Sequence, residues 1–455
     1  MGKWSRRAFI GAGVAAGGAL VVGIAVRPGD PSDALKASIA GGEGEQLLNS
    51  WVKIAPDNRI TAIVPHAEMG QGAHSVLAQM LADELDADWD TIAVLEAPGV
   101  RTYASADIVR DFLTPKLEVP AILEPTAQGG FLALADMLSL TITGGSFSIR
   151  GVGQRSIRTA GAAAREMLIA AAAEQWGVPA EEITTANSMV HHTPSNRSAT
   201  YGALAEAAAE QPVPAKPLRK TVSEFKLMGQ PMPRKDIPSK VDGTASFGID
   251  VDIEGMKYAA VKAPPVLGAS ITSMDASTAK AMPGVLQILN MGDFVAVIAD
   301  GYWQAQQALN TIETTYSKAE GQELDSDAIF ARYAQAMDGA GSDGGDIEIE
   351  EGDTVSALAD AAKTVKADYR VPFLAHATME PMNCTARIAG GRCDLWLGTQ
   401  NPIGVRRDVA KALAMDADNV HVENQYLGGG FGRRSITDVP IMAARLAKAA
   451  GYPVK

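Results

Sequence analysis

The densest chemical signal in the chain is Gly428-Gly429-Gly430-Phe431-Gly432-Arg433-Arg434. Three successive glycines, with a fourth after Phe431, let backbone N–H groups converge on a bound group with no Cβ in the way. Arg433 and Arg434 add fixed positive charge suited to phosphate. The stretch lacks the G-x-G-x-x-G spacing of a dinucleotide turn and the Lys-Ser/Thr of a P-loop, and a plain glycine loop with exposed arginines has the same letters. Two further turns set glycine beside a side-chain donor. Met69-Gly70-Gln71-Gly72 opens straight into a helix, and Thr143-Gly144-Gly145-Ser146 is the second. A helix N-terminus presents unpaired N–H groups and suits an anion, although each turn alone also reads as an ordinary loop. Gln400, in Gly398-Thr399-Gln400-Asn401-Pro402, follows a strand end. Its amide can donate to an oxo or carbonyl oxygen there, or simply hold the turn.

The remaining reactive side chains are sparse. His66, His74, His191, His192, His376 and His421 have no metal-ligand spacing and read as structural, with His66 and His74 flanking the first glycine turn. No protein ligand to a metal is expected. Glu380, in Met379-Glu380-Pro381, is either a buried perturbed acid or a hydrogen-bonding structural carboxylate. Cys384 and Cys393 are the only cysteines, too few for an iron–sulfur cluster or a four-Cys zinc site, and two buried thiols are expected. No G-x-S-x-G and no Ser/His/Asp signature is present.

These turns need strands and helices to hold them. The 455 residues are 47% apolar and 20% charged, a globular composition long enough for two to four domains. A net charge of −13 argues against a broad nucleic-acid face. With 45 glycines and only 5% aromatics, the chain suits tight turns and small-residue helix packing. The pattern predicts a hairpin over Trp51–Ile54 and Arg59–Val64, a helix from Ala73 to Ala87 and a strand at Ile92–Leu95. It predicts loop with short elements over 98–130 and a helix from Arg158 to Trp176. Residues 211–240 are Pro- and Lys-rich and read as a linker. Over 241–320, strands at Ala245–Val251, Met256–Val261, Val285–Leu289 and Phe294–Ala299 with a helix at Tyr302–Leu309 predict a small α+β domain. An acidic loop over 339–353 follows. Then come a helix at 355–363, strands at Val365–Tyr369, Asp394–Gly398 and Val420–Glu423, and helices at 405–415 and 437–450.

Residues 1–30 are read as an address. Lys3, Arg6 and Arg7 precede an uncharged stretch from Ala8 to Val26, the layout of an export signal. Arg6-Arg7 with Phe9-Ile10 looks like the twin-arginine signal of bacteria, with a single membrane anchor as the alternative. A periplasmic location follows, with tethering through this segment left open.

Taken in order, these segments resemble the large, molybdenum-cofactor-binding subunits of the xanthine oxidase family. The type is that of exported isoquinoline 1-oxidoreductase and aldehyde dehydrogenase large subunits. The resemblance runs through EMGQGAHSVLAQMLADEL (68–85), TGGSFS (143–148), RTAGAAAREML (158–168), RKDIPSKVDGTASFGIDV (234–251), HATMEPMNCTA (376–386), GTQNP (398–402) and GGGFGRR (428–434). It implies an α+β fold with a permuted molybdenum-cofactor-binding domain interrupted by a small α/β hammerhead domain. The first part of the cofactor domain then covers 31–215, the linker 216–240, the hammerhead 241–320 and the second, incomplete part 354–455. Also implied are molybdopterin in its cytosine dinucleotide form, with molybdenum held by the pterin alone, and Gln400 hydrogen-bonded to the metal oxo group. The resemblance further sets the Gly429–Gly430–Phe431–Gly432 backbone and Arg433 close to the metal. Gly70, Gln71 and Gly72, with Gly144, Gly145 and Ser146, would wrap the pterin and its phosphates.

The implied reaction hydroxylates an aldehyde or an N-heterocycle carbon with water-derived oxygen. Electrons pass to [2Fe–2S] clusters on a small partner subunit, and the export signal points to a cytochrome (such as a cytochrome c) or quinone route beyond them rather than NAD. The family's catalytic glutamate sits in a Gly-x-Gly-Glu motif that is absent downstream of the hammerhead. The chain is therefore expected to be C-terminally truncated and inactive alone, the alternative being a non-catalytic periplasmic protein that keeps the cofactor fold.

Overall fold

Ile60-Thr61-Ala62-Ile63-Val64 is buried at every position, as a strand covered on both faces must be. In the computed structural model it is the third strand of a four-stranded sheet. The structure describes residues 39, 42, 44–114, 117, 119–120, 123–144, 146–319, 324–343, 349 and 351–455. The predicted export segment and Gly145 lie outside the described residues. The chain folds as two units, Met1–Lys257 with Thr378–Lys455, and Tyr258–Ala377.

The first unit begins with β1 (Gln46–Asn49), β2 (Val52–Ile54) and β3 (Ile60–Val64), paired antiparallel. Asn58, at φ 71°, turns the predicted hairpin. Helix α1 (Ala73–Leu85) then crosses over to β4 (Ile92–Glu96), which pairs parallel with β3. Residues 98–130, expected as loop with short elements, hold short helical turns at Arg101–Tyr103 and Ala106–Ile108 and also the start of a long helix, α2 (Glu124–Met137). Gly129-Gly130 hides its period, but Pro125 sits in the first turn, and Phe131 and Ala135 are buried against Val109 and Ile403. Helix α3 (Arg158–Trp176) keeps its predicted bounds and stops at left-handed Gly177. Its small residues have a reason. A Cβ on Gly161 would lie 2.6 Å from the Leu81 carbonyl of α1, so the two helices meet backbone to backbone. Strands β5 (Ile183–Ala186), β6 (Met189–His192) and β7 (Arg197–Thr200) and helix α4 (Tyr201–Ala209) close this part.

The Pro/Lys-rich stretch predicted as a linker is a fastened strap. The buried Asp83 carboxylate on α1 accepts the backbone N–H groups of Lys226, Leu227 and Met228 and an ion pair from Lys220. Farther along, Trp89 donates its indole N–H to Pro233 O at 3.1 Å.

The second unit holds β8 (Tyr258–Lys262), β9 (Ile271–Asp275), β10 (Val285–Asn290), β11 (Val295–Ala299), helix α5 (Tyr302–Asn310), β12 (Glu313–Tyr316) and helix α6 (Ser326–Asp343). Its strands form the sheets β10-β11-β8 and β12-β9. The unit starts at Tyr258, not at 241. The predicted strand Ala245–Val251 stays in the first unit as a single bridge (Phe247 to Tyr426) and one 3-10 turn. The strand is lost because the Ile249 N–H is taken by the Glu380 carboxylate. The predicted strand Val365–Tyr369 forms no ladder among the described residues.

The first unit resumes with β13 (Thr385–Ala389), β14 (Arg392–Leu397), helix α7 (Pro402–Leu413), β15 (Val420–Asn424) and helix α8 (Asp438–Ala450). β13 pairs antiparallel with β14, and β14 parallel with β15. A hairpin followed by a parallel crossover therefore occurs twice, as β2–β3–α1–β4 and as β13–β14–α7–β15. Cys384 and Cys393 are buried free thiols, and burial, first of all, pushes Cys393 up to about 12. Among the described residues no helix is long and apolar enough to cross a membrane.

Candidate functional site

Three of the predicted segments leave the carboxyl ends of parallel strands. Residues 65–72 follow β3, 398–401 follow β14, and 425–434 follow β15. That is where α/β units gather loops and helix N-termini, and where ligands bind them. The fourth segment, 143–146, meets them from the side.

Gln400 is the junction. It is 3% exposed, and its Nε2 donates to Thr143 O at 2.8 Å while its Oε1 accepts the Gly432 N–H at 3.0 Å. Its backbone completes the knot, with Thr143 N donating to Gln400 O (2.7 Å) and Gln400 N to Arg434 O (3.0 Å). One side-chain N–H is thus committed to Thr143, and the amide has a second. A Cβ on Gly430 would lie 2.6 Å from Gln400 Oε1 and 2.8 Å from Met69 Sδ, so this glycine is required by close approach. Gly429 (φ 95°), Phe431 (φ 51°) and Gly432 (φ 89°) have left-handed backbones. For Phe431 that costs about 1–3 kcal/mol, a strain a loop carries only when its surroundings impose it. The N–H groups of Gly429, Gly430 and Phe431 make no hydrogen bond among the described residues. Three adjacent donors with two missing Cβ atoms form a cradle that fits an oxygen-rich anionic group.

The first glycine turn differs from its prediction. Its N–H groups do not all point outward, because Glu68, 0% exposed, sits beneath them. Glu68 Oε1 accepts Gly70 N (2.9 Å) and Gly72 N (3.0 Å), and Oε2 accepts His74 N (3.2 Å). The N-terminus of α1, open in sequence either to an anion or to an ordinary loop, is capped by an internal carboxylate. Arg234 of the strap pairs with Glu68 at 3.3 Å and donates to Gly70 O at 3.1 Å. Leu427 N donates to Glu68 O at 3.0 Å and joins this turn to the triple-glycine loop. Gln71 folds back, its Nε2 on Ala67 O and its Oε1 on Met69 N. Gln71, Gly72 and Ala73 nonetheless line a cavity of about 300 Å³ with Val76, Ser146 and Ile149, so two predicted turns share one space. A larger cavity of about 690 Å³ beside β4 and β15 contains none of the predicted residues in its lining.

The two arginines after the glycines do not stand free for phosphate, as the sequence reading had them. Arg434 is 1% exposed and bonds Gly429 O, Glu380 O and Glu380 Oε2 at 2.9, 2.7 and 2.9 Å. Arg433 is held by both carboxylate oxygens of Asp438, at 2.8 and 2.7 Å. Glu380 also accepts Ile249 N, Asn383 Nδ2 and Gly428 N, which resolves its two readings in favour of structure. The glycine at 428 exists for it, since a Cβ there would lie 2.3 Å from Glu380 Cβ.

His66 and His74 are buried side by side with opposite tendencies. Burial, assisted by the neighbouring His74 charge, lowers His66 to about 3, so its ring stays neutral. Burial pulls His74 down as well, but the bond and charge of Glu96 outweigh it and hold His74 above the usual histidine value. His66 Nδ1 lies 3.4 Å from Thr143 Oγ1, and its Nε2 is a buried atom with no partner among the described residues. His376 and His421 are exposed, and His192 is engaged with Glu182. No cluster of three or more metal-capable side chains occurs among the described residues.

Glu68 and Arg234 were not singled out from the sequence. The one available signal was that Glu68 is the only acid in the 65–72 segment.

Residues 15–106 and 340–455 each match the family described as Molybdopterin cofactor-binding domain. The chain is 29% identical over 450 residues to the isoquinoline 1-oxidoreductase subunit beta of Brevundimonas diminuta, covering 90% of this chain and 53% of that one. It is also 29% identical to a membrane-bound aldehyde dehydrogenase [pyrroloquinoline-quinone] of Gluconacetobacter polyoxogenes, covering 99% and 55%. The chain thus spans just over half the length of these relatives. Among solved structures, the aldehyde oxidoreductase of Desulfovibrio gigas aligns at 20% identity and a TM-score of 0.38, covering 56% of this chain and 33% of that one.

Proposed function

The chain belongs to the molybdenum-binding subunits of the xanthine oxidase family, and on that premise we propose that it forms the cofactor-holding part of a molybdenum hydroxylase. The substrate is an aldehyde or an N-heterocycle. One water-derived oxygen is added to a carbon, and two electrons and two protons leave. The observation that carries this reading is the junction at Gln400, where loops from β3, β14 and β15 meet the Thr143 turn beside three open N–H donors. When bound, the molybdenum cofactor supplies the oxygen-transfer and two-electron chemistry.

The residues of this chain hold and orient. Gln400 has its second amide N–H for the metal oxo group. The Gly429–Gly432 backbone offers donors and close approach, with Arg433 fixed nearby by Asp438. Met69–Gly72 and Thr143–Ser146 would hold the pterin, in its cytosine dinucleotide form, and of these turns Gln71, Gly72 and Ser146 line the 300 Å³ cavity. Neither Glu68 nor Glu380 serves as the general base, because both carboxylates are saturated by protein donors. The base is a carboxylate outside this pair. Electrons leave to [2Fe–2S] clusters on a small partner subunit, since Cys384 and Cys393 are buried and too few, and from there to a cytochrome c. The Arg6-Arg7 segment directs the protein to the periplasm by the twin-arginine route and tethers it to the membrane if uncleaved.

That saturation of both carboxylates also favours a second reading, a protein that binds the cofactor without turning over. One experiment separates the two. The natural full-length protein is purified with its partner and analysed for molybdenum and pterin. It is then assayed on aldehydes and quinoline-type heterocycles in H₂¹⁸O with an artificial acceptor. Molybdenum with ¹⁸O-labelled product supports the hydroxylase. Molybdenum without turnover supports the binding protein, and absence of both molybdenum and pterin sinks the two together.

A further inference from the structure

We propose that Glu68 is a positioning residue for the cofactor, fixing the Met69–Gly72 turn in its binding form, with Arg234 of the strap as its counter-charge. The proposal rests on the molybdenum-cofactor reading. Gly70 and Gly72 have φ of 100° and 85°, and a Cβ on Gly70 would meet nothing within 4 Å. Side-chain packing therefore does not impose the shape of this turn at Gly70. The carboxylate imposes it, because one buried group gathers the N–H donors of Gly70, Gly72 and His74 across the start of α1. Buried charged acceptors bind such donors strongly and in a narrow geometry.

Two further contacts make the arrangement more than a helix cap. Arg234 pairs with Glu68 and bonds Gly70 O, and it is itself set by Asp236, with Nε at 2.9 Å and Nη2 at 2.6 Å. Through its carbonyl, Glu68 receives Leu427 N at the head of the triple-glycine loop. The side chain thus shapes one loop of the cradle, and its backbone ties that loop to the other. With the Gly70 and Gly72 N–H groups held by Glu68, Gln71, Gly72 and Ala73 line the cavity that Ser146 also lines.

The test uses the natural full-length protein with its partner, as wild type, Glu68→Gln and Glu68→Ala. Three quantities are read: amide hydrogen exchange, bound molybdenum per chain, and melting temperature. In Glu68→Ala, exchange over residues 69–74 should rise at least about tenfold, the loss expected when bonds to a charged acceptor go. Exchange over 398–404 should stay as in wild type, and molybdenum should fall in protein that is still folded. Glu68→Gln keeps an acceptor oxygen and should recover part of the metal. A variant whose turn is released while its molybdenum stays at the wild-type level overturns the proposal and leaves Glu68 as a helix cap only. Should the alanine variant fail to fold, the same comparison in Glu68→Gln decides. Wild-type protein without molybdenum overturns the underlying reading instead, an outcome visible before any variant is made.

Discussion

Two buried glutamates each hold a glycine loop with the help of an arginine, and they do so to different degrees. Glu380 and Arg434 are both sealed, with side chains 5% and 0% exposed, and Arg434 bonds the Gly429 carbonyl of the loop it secures. Glu68 is equally deep, but its partner Arg234 is 34% exposed and comes from the strap. The triple-glycine loop is therefore locked from within, whereas the Met69–Gly72 turn is clamped by a group that water reaches. A buried pair cannot lose one member without stranding the other charge, while a half-exposed pair can be rehydrated.

The sharpest way to break this comparison is Arg434→Ala. It should cost about 3–5 kcal/mol by urea titration, because Glu380 stays buried without its counter-charge. A loss under 1 kcal/mol would mean the lock is no stronger than the clamp. Acid comes next, through His66 beside the Met69–Gly72 turn. His66 titrates near 3 when folded and near its ordinary 6.5 when unfolded. Between those values the unfolded chain binds a proton that the folded chain does not. Stability should thus fall by about 1.4 kcal/mol per pH unit as the pH drops from 6.5 toward 3. His74, held high, has the opposite sign: its contribution is complete below 6.5 and is lost as the pH rises through its folded value. His66→Gln should flatten the acid limb, and an unchanged slope would remove His66 as its cause. Gly428→Ala is smaller, about 1–3 kcal/mol of overpacking against Glu380, read by the same titration. Arg234→Ala should be smallest, about 1 kcal/mol or less, with the melt nearly unmoved.

What the sequence disclosed followed from local rules. The helices predicted over Ala73–Ala87 and Arg158–Trp176 were legible from apolar spacing, and in the second from the Gly177 stop; the first ends two residues early, at a left-handed Asp86 that its letters did not mark. Glycine clusters marked the loops, since glycine leaves a backbone signature that survives without neighbours. The partners of those loops were not legible. Glu68, Thr143, Arg234 and Arg434 matter through contacts up to hundreds of residues away, and a lone acid before a turn looks like any other. The same limit explains Ala245–Val251, whose alternation promised a strand until a distant carboxylate took its N–H. It also explains 216–240, where proline and lysine suggested a free tether and one aspartate on α1 fixed it in place. Which donor faces a ligand and which faces a buried acid is decided by tertiary structure.

The contact order of the cradle sets a timetable for its birth. Gln400 joins Thr143 across 257 residues, and Asn424 reaches Glu96 across 328. At ribosomal rates of about 5–20 residues per second, Glu96 waits roughly 15–65 s for its partner to be made. During that interval the Met69–Gly72 turn exists without the triple-glycine loop that faces it. A nascent chain can thus hold half a cradle for roughly 15–65 s, long enough for a chaperone or a cofactor-delivery protein to reach the open side before the second half arrives.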